Sequence, residues 1–189
     1  MIKPESIAFD IDGVYADIIT LFIDIAKSDY NISDVRYEDI TTYSIKDCLD
    51  IDPSIIDEII IKIQEGCFTP PLKPMDGASD VIIKLANTSG NVLFVTAREL
   101  KLPIYNWLLD VLPLKPAKID VVAAGTPEGK TGILLDRNIT HFVEDRIETC
   151  YILKNAGIIP IIFKQPWNRE KHPFIEASDW KEIESMIAF

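Results

Sequence analysis

The sequence predicts an α/β fold built on a doubly wound parallel sheet, and three observations support this prediction. Short apolar runs that suit buried strands alternate with segments whose apolar residues have helical spacing. The chain has 189 residues, of which 48% are hydrophobic, so one domain with an insertion can bury a sizeable core. Polar residues recur where the apolar runs end, which is the edge where open α/β sheets bind ligands.

Five apolar runs mark the strands, at residues 6–9, 91–96, 119–123, 140–145 and 158–163. Helices are expected at about residues 14–31, 53–66, 103–111 and 146–156, with one more ending near residue 90 and a last one starting at Asp179. This alternation predicts a five-stranded parallel sheet with the strand order 3-2-1-4-5.

The segment between the first and second strands does not continue the alternation. Asp52 and Pro53 form a good helix start, as N-cap and first helical residue, and Gly66 can close that helix. A proline-rich stretch at residues 70–74 then forms a stiff connector. We therefore expect a small helical insertion at residues 15–74, within a core domain made of residues 1–14 and 75–189.

The first strand ends in the sequence Asp10-Ile11-Asp12-Gly13, which places two acids one residue apart. Side chains alternate along a strand, so Asp10 and Asp12 would leave on the same side if the chain stayed extended. Their crowding is costly unless a cation or a shared proton relieves it. The pair therefore indicates a divalent metal, acid–base chemistry, or both.

Composition limits the partners. The formal net charge of −11 argues against a nucleic-acid polymer, although a small phosphorylated substrate needs only local positive charge. The apolar runs are too short to span a bilayer, so no membrane association is expected. The three cysteines are far apart and form no disulfide or zinc pattern. With no signal peptide visible at the first residues, a cytoplasmic location fits best.

Three further polar signals lie at strand ends or in the loops beyond them, namely Thr96, Lys130 and the pair Glu144 and Asp145. Each has a simpler interpretation by itself, because acids after strands often cap helices and a lone lysine is usually solvated. In this order and together, the set is far more specific than its members.

The set resembles the motifs of the haloacid dehalogenase superfamily of phosphohydrolases. Asp10 to Val14 match the first motif, Thr96 the second, Lys130 the third, and Val143 to Asp145 the fourth. More narrowly, the chain is similar to the type C 5′-nucleotidase family, the 5′(3′)-deoxyribonucleotidases and their bacterial relatives. The segments that carry this second resemblance are Asp12–Asp17, Tyr37–Tyr43, Pro74–Ala78, Thr96–Arg98, Glu144–Arg146 and Pro166–Arg169.

The resemblance implies a Rossmann-like core, a helical cap at the insertion, and an aspartate-based phosphatase mechanism. Asp10 is the expected nucleophile and Asp12 the expected general acid and base. Mg²⁺ is the expected cofactor, since oxygen ligands select a hard cation. Its expected ligands are Asp10, the backbone carbonyl of Asp12, Glu144 and Asp145. The expected phosphate-binding residues are Thr96, Ala97, Arg98 and Lys130.

Several alternatives stay open at this point. In the animal enzymes the third-motif lysine lies soon after the second motif, just ahead of a tryptophan. In this chain Trp107 has that context, but Ile104 stands roughly where the lysine would be. Lys130 instead matches the bacterial pattern, and Lys101 and Lys118 are the other candidates for this lysine. Arg98 either contacts phosphate or pairs with an acid. Aromatic residues of the insertion either stack on a base or fill its core; they are Tyr15, Phe22, Tyr43 and Phe68. Asn168 and Arg169 either line the rim of the site or form a plain loop, of which the plain loop is expected, and the role of the whole segment at residues 165–169 stays open.

The preferred function is hydrolysis of a small phosphomonoester, with a nucleoside monophosphate as the first candidate substrate and a sugar phosphate as the alternative. A non-catalytic sensor of a phosphorylated ligand is a second class, but binding alone would not need both Asp10 and Asp12. A receiver-type signalling domain is a third, but that class has no long insertion after its first strand. The sequence does not indicate an oligomeric state.

Overall fold

The computed structural model describes residues 1–189, which form a Rossmann-like parallel sheet with helices on both sides. The strands are β1 (Ile7–Phe9), β2 (Val92–Thr96), β3 (Ile119–Ala123), β4 (His141–Glu144), β5 (Ile159–Phe163) and β6 (Ile175–Ala177). The helices are α1 (Ile18–Tyr30), α2 (Pro53–Glu65), α3 (Ala78–Ser89), α4 (Lys101–Val111), α5 (Lys130–Asp136), α6 (Ile147–Asn155) and α7 (Trp180–Met186). Of these helices, none is at once long and apolar enough to cross a membrane.

The sheet order is β3-β2-β1-β4-β5-β6, which confirms the predicted order and adds a sixth strand beyond β5. The short strand β1 lies between β2 and β4, where Phe9 pairs with Phe94 on one side and with Val143 on the other. All three residues of β1 are buried. The loop after β1 therefore lies between the loops that follow β2 and β4, at one edge of the sheet.

Two elements were not predicted from the sequence. Strand β6 has three residues, of which Ile175 and Glu176 are exposed, so no apolar run marks it. Helix α5 has only seven residues and begins directly at Lys130, after a loop. The first helix also begins later than predicted, at Ile18, because the Asp17 carboxylate accepts a hydrogen bond from the Thr20 amide and caps it there.

The insertion has the helix that its sequence predicts. Asp52 caps α2 by accepting from the Ser54 amide, and Gly66 ends the helix in the left-handed conformation, with φ of +74°. The segments that leave and re-enter the core pair as a short antiparallel ribbon. In this ribbon Asp17 N donates to Lys73 O at 2.9 Å and Met75 N donates to Tyr15 O at 2.7 Å. The domain division at residues 15–74 stays a prediction.

An aromatic cluster packs under strand β1 and contacts the backbone of the loop that follows it. The rings of Phe9 and Trp180 lie 5.3 Å apart, and those of Tyr15 and Phe94 5.2 Å apart. The Trp180 indole also donates to the carbonyl of Val14 at 3.0 Å. Tyr15 is fully buried in this cluster, so it belongs to the hydrophobic core and is not available to stack on a ligand.

Candidate active site

Three buried carboxylates meet at the carboxyl edge of the sheet. Asp10 follows β1, Glu144 ends β4, and Asp145 follows it. Each of these residues offers one carboxylate oxygen, and the three oxygens lie within 4.8 Å of one another. Adjacent parallel strands bring the acids together, as the spacing of the motifs predicts.

Lys130 lies inside this acidic cluster. Its Nζ is 2.8 Å from Asp10 Oδ2 and 2.8 Å from Glu144 Oε2, and its side chain is only 2% exposed. The two reserve lysines lie elsewhere. Lys118 donates to Ala86 O and to the side chain of Asn87, and Lys101 lies over the Tyr105 ring.

The charges of the cluster are unbalanced. Burial raises the pKa of the Asp145 carboxyl well above its usual value, and repulsion from Glu144 and Asp10 adds to this. Burial also raises the pKa of Asp10, although Lys130 opposes the effect. Burial also tends to raise the pKa of Glu144, but the charge and hydrogen bond of Lys130 outweigh it, so the pKa of Glu144 is lowered. Three acids beside one lysine form an all-oxygen donor set that could hold a divalent cation.

Backbone amides orient two of the carboxylates. The Ile11 amide donates to Asp10 Oδ1 at 2.8 Å. The amides of Asp145 and Arg146 both donate to Glu144 Oε1 at 3.1 Å. Each carboxylate therefore has one oxygen bound to backbone and the other to Lys130, which fixes its orientation.

Gly13 allows Asp145 to approach the loop after β1. Its φ is +75°, and a Cβ atom added here would lie 2.2 Å from Asp145 Oδ2 and 3.1 Å from a ring carbon of Trp167. Both the backbone conformation and the space therefore require glycine at this position.

Thr96 and Ala97 lie beside the cluster, at the carboxyl end of β2. Thr96 is buried, and its hydroxyl accepts from the Arg98 amide at 3.2 Å. The amides of Asp12 and Ala97 donate to no acceptor within the protein. Two free amides and a hydroxyl at this edge are groups that can bind the oxygens of a phosphate.

Asp12 lies outside the acidic cluster, and its carboxylate pairs with Arg98. Arg98 Nε donates to Oδ2 at 2.8 Å and Nη2 donates to Oδ1 at 2.7 Å. Arg98 Nη1 also donates to the carbonyl of Ile63, near the end of α2, at 3.0 Å. Of the two roles expected for Arg98, the structure contains the pairing with an acid.

The loop after β5 holds Asp145 from two sides. The Trp167 indole donates to Asp145 Oδ2 at 2.9 Å, and Asn168 Nδ2 donates to the Asp145 carbonyl at 2.7 Å. The plain-loop interpretation is therefore wrong for Asn168, and Trp167, to which the sequence assigned no role, contacts Asp145 as well. Asn168 is buried, and an amide in an otherwise polar loop gives no sequence signal of that burial.

Gln165 of the same loop connects the core to the insertion. Its Nε2 donates to the carbonyl of Gly13 at 2.6 Å, and its Oε1 accepts from the hydroxyl of Tyr37 at 2.9 Å. The ring of Tyr37 lies 6.1 Å from that of Trp167. Sequence reasoning missed both Gln165 and Tyr37, because their partners lie more than a hundred residues away.

A cleft of about 370 Å³ opens beside Asp12, between the insertion and the core. Nine of its 15 lining residues are hydrophobic, six of them isoleucines, and Phe22 and Tyr43 are the aromatic residues contributed by the insertion. Phe68 does not line the cleft and packs against the hydrophobic core. The lining residues are Asp12, Ile18, Ile19, Phe22, Ile40, Tyr43, Ser44, Ile45, Lys46, Ile60, Ile63, Gln64, Arg98, Asp145 and Trp167.

Several solved structures of known proteins share this fold. A haloacid dehalogenase superfamily hydrolase from Ehrlichia chaffeensis aligns with 98% of this chain and 97% of its own, at a TM-score of 0.59 and 14% identity. A haloacid dehalogenase-like protein from Streptococcus pneumoniae aligns at a TM-score of 0.60 and 10% identity, over 95% and 97% of the two chains. CbbY from Rhodobacter sphaeroides, solved in complex with phosphate, aligns at a TM-score of 0.55 and 16% identity, over 95% and 96%.

The fold is therefore that of the haloacid dehalogenase superfamily. Residues 4–189 match the family model described as 5′ nucleotidase, deoxy (pyrimidine), cytosolic type C protein. The chain belongs to this family, and its class of activity is that of a phosphoric monoester hydrolase. No curated protein matches the chain in a direct comparison.

Proposed function

We propose that this phosphatase hydrolyses a small phosphomonoester with Asp10 as nucleophile and Mg²⁺ as cofactor. The observation that carries the proposal is the buried Asp10 carboxylate, which follows the central strand and is held by Lys130 beside Glu144 and Asp145. A carboxylate nucleophile divides a difficult hydrolysis into two displacements.

In the first displacement an Asp10 oxygen forms a bond to phosphorus as the bond from phosphorus to the leaving oxygen breaks. Asp12 donates a proton to that oxygen, so the leaving group departs as an alcohol. Lys130, the Thr96 hydroxyl and the Ala97 amide bind the phosphoryl oxygens. The product on the enzyme is an aspartyl-phosphate at Asp10.

In the second displacement a water molecule attacks phosphorus, and the bond from phosphorus to Asp10 breaks. Asp12 accepts the proton from this water and returns to its starting state for the next cycle. Arg98 holds both oxygens of Asp12 in this structure, so its proposed role is to orient this carboxylate rather than to bind phosphate. One of the two hydrogen bonds must open when Asp12 carries the proton for the leaving oxygen.

The side chains of Asp10, Glu144 and Asp145 and the backbone carbonyl of Asp12 would hold Mg²⁺ in this proposal. When bound, it supplies positive charge to the phosphoryl group and to the acids around it. The all-oxygen donor set and the raised pKa values of Asp10 and Asp145 support this assignment.

The proposed substrate is a nucleoside monophosphate, preferably of a deoxyribonucleoside. The family description and the apolar wall of the cleft support it, because a base presents a large apolar face whereas a sugar needs polar partners. Tyr43, which is exposed at the cleft, is the aromatic group of the insertion available to that base, whereas Phe22 is buried in the hydrophobic core. A cleft of about 370 Å³ suits a mononucleotide better than a polymer.

Residues 15–74 act as the cap in this proposal, and the paired segments at residues 15–17 and 73–75 form its hinge. Closure of the cap would exclude water from the charged centre and limit the size of the leaving group. The cytosolic family and three unpaired cysteines support a cytoplasmic location.

A panel of phosphomonoesters assayed with Mg²⁺ tests the proposal. Deoxyribonucleoside monophosphates should have the highest kcat/KM, followed by ribonucleoside monophosphates and then by sugar phosphates, and Asp10→Asn should reduce all rates to background. A clear preference for sugar phosphates would reject the nucleotidase assignment and keep the phosphatase. Binding of a phosphomonoester without any turnover would indicate a sensor instead.

A further inference from the structure

We infer that the loop after β5, residues 165–168, is a positioning element for the cation site, and that Trp167 sets the orientation of the Asp145 carboxylate. The inference rests on the proposed metal site. The loop binds both the side chain and the main chain of Asp145. The Trp167 indole donates to Oδ2 at 2.9 Å, and Asn168 Nδ2 donates to the main-chain carbonyl at 2.7 Å.

The loop is rigid enough for this role. Asn168 is 3% exposed, and its Nδ2 also donates to the carbonyl of Phe163, at the end of β5, at 2.8 Å. Asn168 Oδ1 accepts from the Gln165 amide at 2.9 Å, which closes the loop on itself. The amide of Asn168 thus connects the ends of two adjacent strands, β4 and β5, at the level of the acidic cluster.

Trp167 has the chemistry that a partner of a metal-binding carboxylate requires. An indole N–H can only donate, and it carries no charge. It can therefore fix one oxygen of Asp145 without neutralising the carboxylate, whereas a lysine or arginine would satisfy the charge that a cation needs. Lys130 contacts Asp10 and Glu144 within 4.0 Å, but no basic group lies that close to Asp145.

The space around Asp145 Oδ2 leaves the carboxylate little freedom. Asp145 Oδ2 and a ring carbon of Trp167 both lie close to Gly13, at 2.2 Å and 3.1 Å from the position that a Cβ atom there would occupy. The Asp145 carboxylate therefore lies against Gly13 as well as accepting the hydrogen bond of the indole. Loss of the indole N–H would free it to rotate away from Asp10 and Glu144.

The test compares Trp167→Phe and Trp167→Tyr, which remove this N–H but keep an aromatic ring, with a matched control. Trp107→Phe removes another half-buried indole N–H, which donates to Leu72 O at 3.0 Å outside the site. Two quantities are measured for each protein. The first is the increase in the midpoint temperature of thermal unfolding when Mg²⁺ is added to the substrate-free protein. The second is the Mg²⁺ concentration that gives half-maximal activity.

Both Trp167 variants should need about 10- to 100-fold more Mg²⁺ than the wild type, as is usual when a partner of a metal ligand is lost. Activity should return toward the wild-type value at saturating Mg²⁺, and Trp107→Phe should respond to Mg²⁺ as the wild type does. A purely structural role would lower the unfolding midpoint without changing the Mg²⁺ requirement.

A wild-type Mg²⁺ requirement in the Trp167 variants would overturn the inference and leave the proposed function intact. An equal shift in Trp107→Phe would also overturn it. A wild-type protein that shows no response to Mg²⁺ would overturn the proposed metal site together with the inference, so the two failures are distinguishable.

Discussion

At the scale of single residues, the site depends on how one buried lysine is shared. A buried ammonium is costly unless it is paired and hydrogen-bonded, and Lys130 meets this condition with Asp10 and Glu144. These carboxylates outweigh burial and raise the pKa of Lys130, so it stays charged. No basic side chain pairs with Asp145, whose carboxylate accepts from the uncharged indole of Trp167, and burial together with Glu144 and Asp10 raises its pKa.

Gly13→Ala tests the close approach of Asp145 to the loop after β1. An added Cβ would lie 2.2 Å from Asp145 Oδ2, so the carboxylate must move out of the acidic cluster. We expect the variant to lose activity by at least about 10²-fold, comparable with the loss of an electrostatic group in a catalytic site. Steady-state kinetics at several Mg²⁺ concentrations measure this loss.

Gly157→Ala is the matched control, because Gly157 also has a positive φ, of +85°, but a Cβ there would meet nothing within 4 Å. Each variant should lose about 1–3 kcal/mol of stability from backbone strain alone. Only Gly13→Ala should lose activity. Similar activities of the two variants would show that strain, and not the displacement of Asp145, is what matters at Gly13.

At the scale of elements, the carboxyl ends of β1, β2 and β4 bring together the residues that the sequence marks. The apolar runs that predict these strands end directly before Asp10, at Thr96 and before Asp145. Parallel pairing in the order β2-β1-β4 then places the three ends side by side. Strand patterns and polar strand ends were therefore enough to predict most of the acidic cluster.

The contacts that the sequence did not predict are those between distant loops. Gln165 meets Gly13 across 152 positions, and Arg98 meets Asp12 across 86. Periodicity describes only neighbours along the chain, so it cannot assign such partners. Strand β6 was not predicted for a different reason, because a three-residue edge strand with only one buried side chain has no apolar pattern.

Arg98 connects three elements, since it follows β2, binds Asp12 after β1 and caps a carbonyl of α2. In Arg98→Met, Asp12 would lose its fixed orientation. We expect kcat on a nucleoside monophosphate to fall by about 10²-fold, within the range of general acid–base effects. On p-nitrophenyl phosphate the loss should be smaller, because that leaving group departs without a proton.

Arg137→Met is a suitable control for this comparison, since Arg137 pairs with Asp120 on the surface and does not contact the site. It should leave the kinetics on both substrates unchanged. Equal losses on the two substrates in Arg98→Met would show that Arg98 binds phosphate or stabilises the fold, and does not position the general acid.

At the scale of the whole molecule, the insertion and the sheet share one hydrophobic core cluster. It includes Phe22 of α1 and Ile59 of α2 as well as Phe94 of β2. The cleft lies where these two parts meet, with Asp12 and Asp145 of the core among its lining residues. The insertion therefore lies next to Asp145 of the acidic cluster, and a ligand in the cleft would contact both parts.

Removal of divalent metal should abolish turnover, and added Mg²⁺ should restore it. Mg²⁺ should also raise the unfolding temperature, because an ion that binds only the folded state stabilises it and relieves repulsion among the buried acids. A sodium salt at matched ionic strength should not reproduce the rise, which separates binding from screening. Full activity in excess chelator would reject the role proposed for Glu144 and Asp145.

The central claim is that phosphate is transferred to Asp10, and reduction of the phosphorylated enzyme tests it most directly. Borohydride added during turnover reduces an aspartyl-phosphate to the alcohol, so the trapped aspartate becomes homoserine. Mass spectrometry of the digested protein should find homoserine at residue 10, and none in Asp10→Asn. Homoserine at another aspartate, or steady turnover with no reducible intermediate at residue 10, would contradict the account.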